Sequence, residues 1–262
     1  MTKPIGMFDS GLGGLTVMQQ LVHKMPHEDI IYFGDTARLP YGGKSRETII
    51  RYSIENAIFL IEKDVKILVV ACNTATSHAL DRLQQIFGIP VIGVIDPGAE
   101  RAVETSSTQR IAVLATKGTI HSEAYQKAIR QLAPNAFVFP VACPLFVPLV
   151  EEGCLHHPAT RLIVRDYLKP IKEQGVDTIL LGCTHYPMLK ALIQEEVGDH
   201  VTLVDSGSAC AERVSSVLNT LNLQKNTSPP FYQYFVSDDP HQFQTLGSAF
   251  LGFPITTVCK HS

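Results

Sequence analysis

The sequence lacks tryptophan, long apolar segments and any strong excess of charge of one sign. No stretch approaches the ~20 apolar residues that a membrane-spanning helix needs. The formal net charge of −3 over 262 residues offers no basic face for nucleic acid. Residues 1–30 contain several charges and no apolar segment after a basic start, so no export signal is predicted. These absences favour a cytoplasmic globular protein without nucleic-acid or membrane partners.

The cysteines are also not arranged as a disulfide framework. No CxxC pair occurs, and the chain is far too long for a small disulfide-stapled domain. We therefore expect free thiols in a reducing compartment. The six residues are Cys72, Cys143, Cys154, Cys183, Cys210 and Cys259.

Short apolar runs alternate with helix-length segments along the chain. Such runs are typical of strands buried on both faces of a parallel sheet. They are Ile5–Phe8, Ile30–Phe33, Ile67–Ala71, Val91–Ile95, Ile111–Leu114, Phe137–Val141, Thr178–Leu181 and Val201–Val204, with a late strand at Phe231–Val236. Helices are predicted at Arg46–Lys63, Ser122–Leu132 and Ala159–Gln174, the first with Ser45 as its N-cap. This alternation predicts an α/β fold with mainly parallel sheets.

The chain resembles itself at a nearly constant offset. The segments around Met7, Cys72 and Asp96 match those around Val113, Cys183 and Asp205, in the same order. Such internal repetition predicts two similar α/β domains, which we expect to be related by a pseudo-twofold axis. The predicted first domain comprises residues 1–96 plus 208–262, because the C-terminal segment returns to it. The second comprises residues 97–207, with the site in the cleft between them.

Two cysteines stand where predicted strands end. Cys72 follows Ile67–Ala71, and Cys183 follows Thr178–Leu181. Ligands of open α/β sheets bind at the carboxyl ends of the strands, and a helix N-terminus is expected to lower the pKa of a partly exposed thiol such as Cys72. Either cysteine alone fits a buried structural residue as well.

The duplication makes the two cysteines a pair. If the halves face each other, both thiols border one cleft. Two acid/base groups on opposite sides of one carbon can invert its configuration, because one removes a proton while the other donates one. Asn73 and Thr74 follow Cys72 and offer hydrogen-bond donors, while His185 lies close enough to Cys183 to assist a proton transfer.

Three other segments carry polar groups for which the residues alone allow more than one role. The glycine-rich turn after Asp9 exposes backbone N–H groups toward an anion, and Asp9 itself suits an ammonium group or assistance to a base. The loop near Tyr41 and Gly42 offers backbone donors for a carboxylate or forms a plain turn. Glu151 and Glu152 follow an apolar run and reach either the cleft or solvent.

Five motifs together resemble those of glutamate racemase, in order over nearly the whole chain. They are Asp9-Ser10-Gly11-x-Gly13-Gly14, Asp35-Thr36-x-x-x-Pro40-Tyr41-Gly42, Ala71-Cys72-Asn73-Thr74-Ala75-Thr76, Phe146-Val147-Pro148-Leu149-Val150-Glu151 and Gly182-Cys183-Thr184-His185-Tyr186-Pro187. The resemblance implies interconversion of L- and D-glutamate, which supplies D-glutamate for bacterial peptidoglycan, with no pyridoxal phosphate, metal or nucleotide. It also implies two related α/β domains that enclose the substrate, and it allows a homodimer.

The resemblance further implies roles for individual residues. Cys72 and Cys183 are the two bases, one for each enantiomer, and Asp9 assists on the Cys72 side. His185 and Glu151 assist on the Cys183 side, with Glu151 preferred over Glu152 because it directly follows the apolar run. The residues implied to bind substrate are Asp9, Ser10, Pro40, Tyr41, Gly42, Cys72, Asn73, Thr74, Thr116, Cys183, Thr184 and His185.

Three alternatives stay open on the sequence. A racemase of the same kind could act on aspartate or another amino acid, since the sequence does not measure pocket length. A thiol hydrolase could use Cys183 and His185, but it would leave Cys72 unexplained. A two-lobed binding protein could close on glutamate without chemistry, but it has no use for two thiols.

Overall fold

A computed structural model describes residues 3–261 of the chain. Strands and helices alternate along these residues, as the apolar runs predict. The strands are β1 (Ile5–Asp9), β2 (Ile30–Gly34), β3 (Ile67–Val70), β4 (Val91–Gly93), β5 (Arg110–Ala115), β6 (Phe137–Ala142), β7 (Thr178–Gly182), β8 (Thr202–Asp205), β9 (Tyr232–Val236) and β10 (Val258–Lys260).

The helices cover the faces of the sheets. They are α1 (Gly14–Lys24), α2 (Arg46–Glu62), α3 (Asn73–Ile86), α4 (Ile95–Thr105), α5 (Lys117–Ser122), α6 (Ala124–Leu132), α7 (Phe146–Glu151), α8 (Pro158–Lys172), α9 (Lys190–Val197), α10 (Ser206–Thr220) and α11 (Pro240–Leu251). Short 3-10 turns lie at Thr36–Arg38, Tyr41–Gly43 and Tyr186–Leu189. Within residues 3–261, no helix has both the length and the apolar character that crossing a membrane requires.

The strands form two sheets whose neighbouring strands all run parallel. The larger sheet has the order β10-β9-β2-β1-β3-β4, and the smaller has the order β6-β5-β7-β8. The four strands β2-β1-β3-β4 therefore repeat as β6-β5-β7-β8. The predicted α/β class with mainly parallel sheets is confirmed, and the repeated order agrees with the internal sequence match.

The C-terminal segment adds the two remaining strands to the larger sheet. β9 pairs with β2, and β10 pairs with β9. The predicted late strand thus lies where a returning segment would place it. The boundaries at residues 96 and 208 stay a prediction.

Three expected elements differ in detail. The predicted strand Val91–Ile95 ends at Gly93, because Ile95 already begins α4. The predicted helix Ser122–Leu132 is split, since Glu123 has a φ of 57° and separates α5 from α6. The predicted helix Arg46–Lys63 forms one residue shorter, and Ser45 caps it by accepting from the Thr48 N–H at 3.3 Å.

Candidate active site

Cys72 lies at the carboxyl end of the inner strand β3 and is the N-cap of α3. Its thiol contacts the Oγ of Ser10 at 3.7 Å, and its sulfur accepts from the Ala75 N–H at 3.4 Å. Only 5% of Cys72 is exposed, and it forms no disulfide. The strand thus delivers a free thiol into a closed polar site.

Cys183 occupies the corresponding place after β7 in the smaller sheet. Its sulfur lies 3.9 Å from Nδ1 of His185, and Nε2 of His185 lies 3.0 Å from Oε1 of Glu151. Glu151 is the last residue of α7, whereas Glu152 is exposed. The structure therefore brings Glu151 to the histidine and leaves Glu152 at the surface.

The carboxylate of Asp9 connects the two halves. Its Oδ1 accepts from the Thr184 hydroxyl at 3.4 Å, and Thr184 directly follows Cys183. Ser10, which contacts Cys72, directly follows Asp9. The residues next to the two thiols are therefore joined across the interface by the hydrogen bond between Thr184 and Asp9.

The glycine-rich turn already holds an anionic group of its own chain. The N–H of Gly11 donates to Asp9 Oδ2 at 3.0 Å, so Asp9 uses a donor that we expected to face a ligand. Tyr32 donates to the Gly11 carbonyl at 2.8 Å, and Thr16 donates to the Thr184 carbonyl at 2.8 Å. These bonds fix the turn against both β2 and the Cys183 loop.

Burial disfavours the charged forms of the acids in this site. Removing a thiol from water disfavours the thiolate, so burial raises the pKa of Cys72 to about 12 and that of Cys183 well above its usual value. Burial raises the pKa of Asp9 as well, and the charge of Asp9 raises the pKa of both thiols further. The expected lowering of the Cys72 pKa is wrong, because the Ala75 N–H offsets only part of the desolvation.

Hydroxyl groups from both halves meet near Cys72. Thr74 Oγ1 lies 2.9 Å from Thr116 Oγ1 and 3.2 Å from Thr119 Oγ1, and the last two are 3.1 Å apart. All three threonines are buried. The sequence reasoning missed Thr119, although its place three residues after the N-cap Thr116 puts both hydroxyls at the start of α5.

Asn73, the first residue of α3, presents an unused donor. Its Oδ1 accepts from the Tyr125 hydroxyl at 2.5 Å, and its Nδ2 is one of three buried polar side-chain atoms within residues 3–261 that lack a partner. A buried polar group without a partner costs about 1–3 kcal/mol. This amide is therefore suited to donate to a bound carboxylate.

The loop that holds Pro40, Tyr41 and Gly42 also reaches the second half. The Tyr41 hydroxyl donates to Asp35, so the hydrogen bond of this side chain is made within its own loop. The groups of the loop that remain for a ligand are those of the backbone. Pro40 directly precedes the 3-10 turn Tyr41–Gly43. A Cβ on Gly42 would lie 2.7 Å from the Cβ of Thr116, which shows how closely the loop approaches the smaller-sheet half.

The site is closed. A Cβ on Gly13 would overlap Thr184 Oγ1 and His185 Nδ1, so the backbone of α1's start packs directly on the Cys183 loop. Cys183 is 6% exposed. Both thiols are therefore almost fully covered where the two halves meet. Among residues 3–261, no group of three or more His, Cys, Asp and Glu side chains is arranged to hold a metal ion.

Comparison with known proteins identifies the family. A sequence model of the family described as Asp/Glu/Hydantoin racemase matches residues 9–214. The glutamate racemase of Geobacter metallireducens is 52% identical over 261 residues, which cover 99% of this chain and 97% of that protein. The chain belongs to the glutamate racemase family. Because racemases are isomerases, it is an enzyme of the isomerase class.

Solved structures of the family share the fold over the full chain. The glutamate racemase of Bacillus anthracis aligns with a TM-score of 0.96 at 36% identity, covering 99% of this chain and 97% of that one. That of Francisella tularensis, in complex with D-glutamate, aligns with a TM-score of 0.94 at 38% identity, covering 100% and 98%. The aspartate racemase of Picrophilus torridus shares the fold alone, with a TM-score of 0.62 at 14% identity over 87% of this chain and 96% of that one.

Proposed function

We propose that this enzyme interconverts L- and D-glutamate by proton transfer between Cys72 and Cys183, without pyridoxal phosphate, metal or nucleotide. The observation that carries the proposal is the pair of free, buried thiols at the ends of the corresponding strands β3 and β7. Ser10, Asp9 and Thr184 link them across the interface between the halves. The product would supply D-glutamate for peptidoglycan synthesis in the cytoplasm.

Each turnover moves one proton off the α-carbon and another onto its opposite face. One cysteine, as thiolate, takes the α-proton, and the electron pair of the broken C–H bond stays on the substrate. The other cysteine, as thiol, delivers its proton from the other side and becomes the thiolate. The reverse reaction uses the same groups with exchanged roles, so each enantiomer has its own base.

A thiolate must first form in a site that favours thiols. The substrate ammonium brings a positive charge that stabilises a thiolate, and a neighbouring base can take the proton. Asp9 suits this task beside Cys72, because burial raises its pKa and makes it a better proton acceptor. His185, held by Glu151, suits the same task beside Cys183. These assignments make Asp9, His185 and Glu151 assistants to the two bases.

The carbanion needs stabilisation because the α-proton of an amino acid is a very weak acid. Preorganised donors around a carboxylate stabilise the charge that develops on it, and they act most strongly where water is excluded. The hydroxyls of Thr74 and Thr116 supply such donors in a buried site, while the unpaired Asn73 amide binds a carboxylate of the substrate in its ground state. Ser10, Thr184 and the backbone near Gly42 complete the proposed substrate contacts.

Glutamate is the preferred substrate because relatives similar over nearly the full chain are glutamate racemases. One relative in the same fold was solved in complex with D-glutamate. Aspartate is the direct competitor, because it carries the same charged groups on a side chain that is one methylene shorter. Neither a thiol hydrolase nor a two-lobed binding protein accounts for both cysteines.

Isotope exchange tests the proposal. The purified enzyme is incubated in D₂O with L-glutamate, D-glutamate or aspartate, without added cofactor and with a chelator present. We expect deuterium at the α-carbon of the glutamate enantiomer that forms, with little exchange into aspartate. Racemisation only after addition of pyridoxal phosphate, or faster exchange into aspartate than into glutamate, would contradict the proposed function.

A further inference from the structure

Tyr125 reaches from the core of one half into the site of the other. It is the second residue of α6, and its ring packs among core residues of the smaller-sheet half, including Ile95 and Leu180. The residue is fully buried, yet its hydroxyl lies 2.5 Å from Oδ1 of Asn73 in the other half. This bond joins the second half to the residue that directly follows Cys72.

The space around Tyr125 is kept open by small residues. A Cβ on Gly182 would lie 2.8 Å from Cε2 of the ring, and Gly182 directly precedes Cys183. A Cβ on Gly98 would lie 3.3 Å from the hydroxyl oxygen, close to Ser206. The tyrosine therefore lies where the first turns of α4 and α10 and the end of β7 meet.

The hydroxyl determines which way the Asn73 amide faces. Burial raises the pKa of Tyr125, so the phenol keeps its proton and donates it. A donated proton must be accepted by the amide oxygen, which leaves the amide nitrogen on the other side of the planar group. That nitrogen is buried and has no partner within the described chain.

We propose that Tyr125 is a positioning residue, which holds the Asn73 amide so that its N–H groups face the carboxylate of the bound amino acid. This inference rests on the proposed function. Because the Tyr125–Asn73 bond crosses the interface, the amide is oriented only when the halves are closed. The Tyr125–Asn73 hydrogen bond thereby couples closure of the two halves to binding of the substrate carboxylate.

The test is a double-mutant cycle with Tyr125→Phe and Asn73→Ala. Tyr125→Phe removes one oxygen and keeps the buried ring. We expect KM for both glutamate enantiomers to rise roughly fivefold while kcat stays within about twofold, because a ground-state contact is weakened. In the Asn73→Ala background, Tyr125→Phe should change KM no further, since its target is gone.

A matched control and a second readout separate positioning from general damage. Tyr234→Phe removes the hydroxyl of another buried tyrosine, on β9 and away from the site, and should keep KM unchanged. The rise in melting temperature produced by D-glutamate should shrink in Tyr125→Phe and persist in Tyr234→Phe. Equal effects of Tyr125→Phe with and without Asn73 would overturn the inference.

The two proposals fail in different ways. A wild-type enzyme that exchanges no α-proton of glutamate overturns the proposed function and this inference with it. An active wild type whose Tyr125→Phe variant keeps both its KM and its ligand-induced thermal shift overturns the role of Tyr125 alone.

Discussion

Replacing Glu151 by glutamine removes the negative charge that contacts His185 and keeps the shape of the side chain. The carboxylate oxygen lies 3.0 Å from Nε2 of His185, and 20% of the Glu151 side chain is exposed. A glutamine oxygen can still accept the hydrogen bond, so the change tests the charge and not the contact. If His185 takes a proton during turnover, the glutamate stabilises the charged ring in that step.

The structure sets the size of the expected effect. A hydrogen bond to a charged group contributes about 1.5–3 kcal/mol and a neutral one about 0.5–1.5 kcal/mol, so replacing the carboxylate by an amide costs roughly 1–1.5 kcal/mol. A loss of about 1.4 kcal/mol in the transition state lowers kcat/KM about tenfold. Because enantiomers have equal free energies, kcat/KM must fall by the same factor in both directions, whereas kcat and KM can change differently for each enantiomer.

The neighbouring glutamate provides the control. Glu152 is exposed and directly follows Glu151, so Glu152→Gln makes the same chemical change one residue away. We expect kcat/KM within about twofold of wild type for this variant. Racemisation is followed by polarimetry from each pure enantiomer. A Glu151→Gln enzyme as active as Glu152→Gln would refute the assistance of His185 by Glu151.

Three further predictions concern stability and closure. Burial raises the pKa of Cys72 to about 12, above the 9.0 of an exposed thiol, so as the pH rises the unfolded chain loses this proton before the folded chain does. In urea titrations the free energy of unfolding should therefore fall between pH 9 and 12, and it should fall less in Cys72→Ala. Gly13→Ala should raise KM for glutamate tenfold or more, because the added methyl group would overlap Thr184 in the closed state. In the control Gly43→Ala the added methyl group has no atom within 4 Å, so this variant should keep wild-type kinetics. Asp35→Ala should lower the free energy of unfolding by about 1–3 kcal/mol in denaturant titrations, because the buried Tyr41 hydroxyl loses its acceptor while Arg38 keeps Glu55 as a partner; a loss below about 0.5 kcal/mol would show that this network is not stabilising.

The strands of the fold were predictable because their signal is local. Runs such as Ile67–Ala71 and Thr178–Leu181 are apolar throughout, and a strand buried on both faces needs no other pattern. β10 was not predicted, since it has three residues and two of them are exposed. The break at Glu123 was missed as well, because the residues on both sides of it favour helix and only its positive φ separates α5 from α6.

The positions of the reactive residues could be predicted from the sequence, whereas their pKa values and their contacts across the two halves could not. Both cysteines follow strands, so their places could be inferred from the sequence. The pKa of Cys72 could not, because it depends on how completely the folded chain buries the thiol. The Tyr125–Asn73 bond joins residues 52 apart in the sequence, and nothing local to either residue indicates the other.

Single alanine substitutions of the two thiols test the two-base scheme most directly. Racemisation of each glutamate enantiomer is measured in D₂O for Cys72→Ala, Cys183→Ala and the control Cys143→Ala, whose thiol is also buried and free but lies outside the proposed pair. The scheme predicts that either of the first two changes abolishes racemisation, while Cys143→Ala remains active. Near-normal racemisation by Cys72→Ala or Cys183→Ala would contradict it.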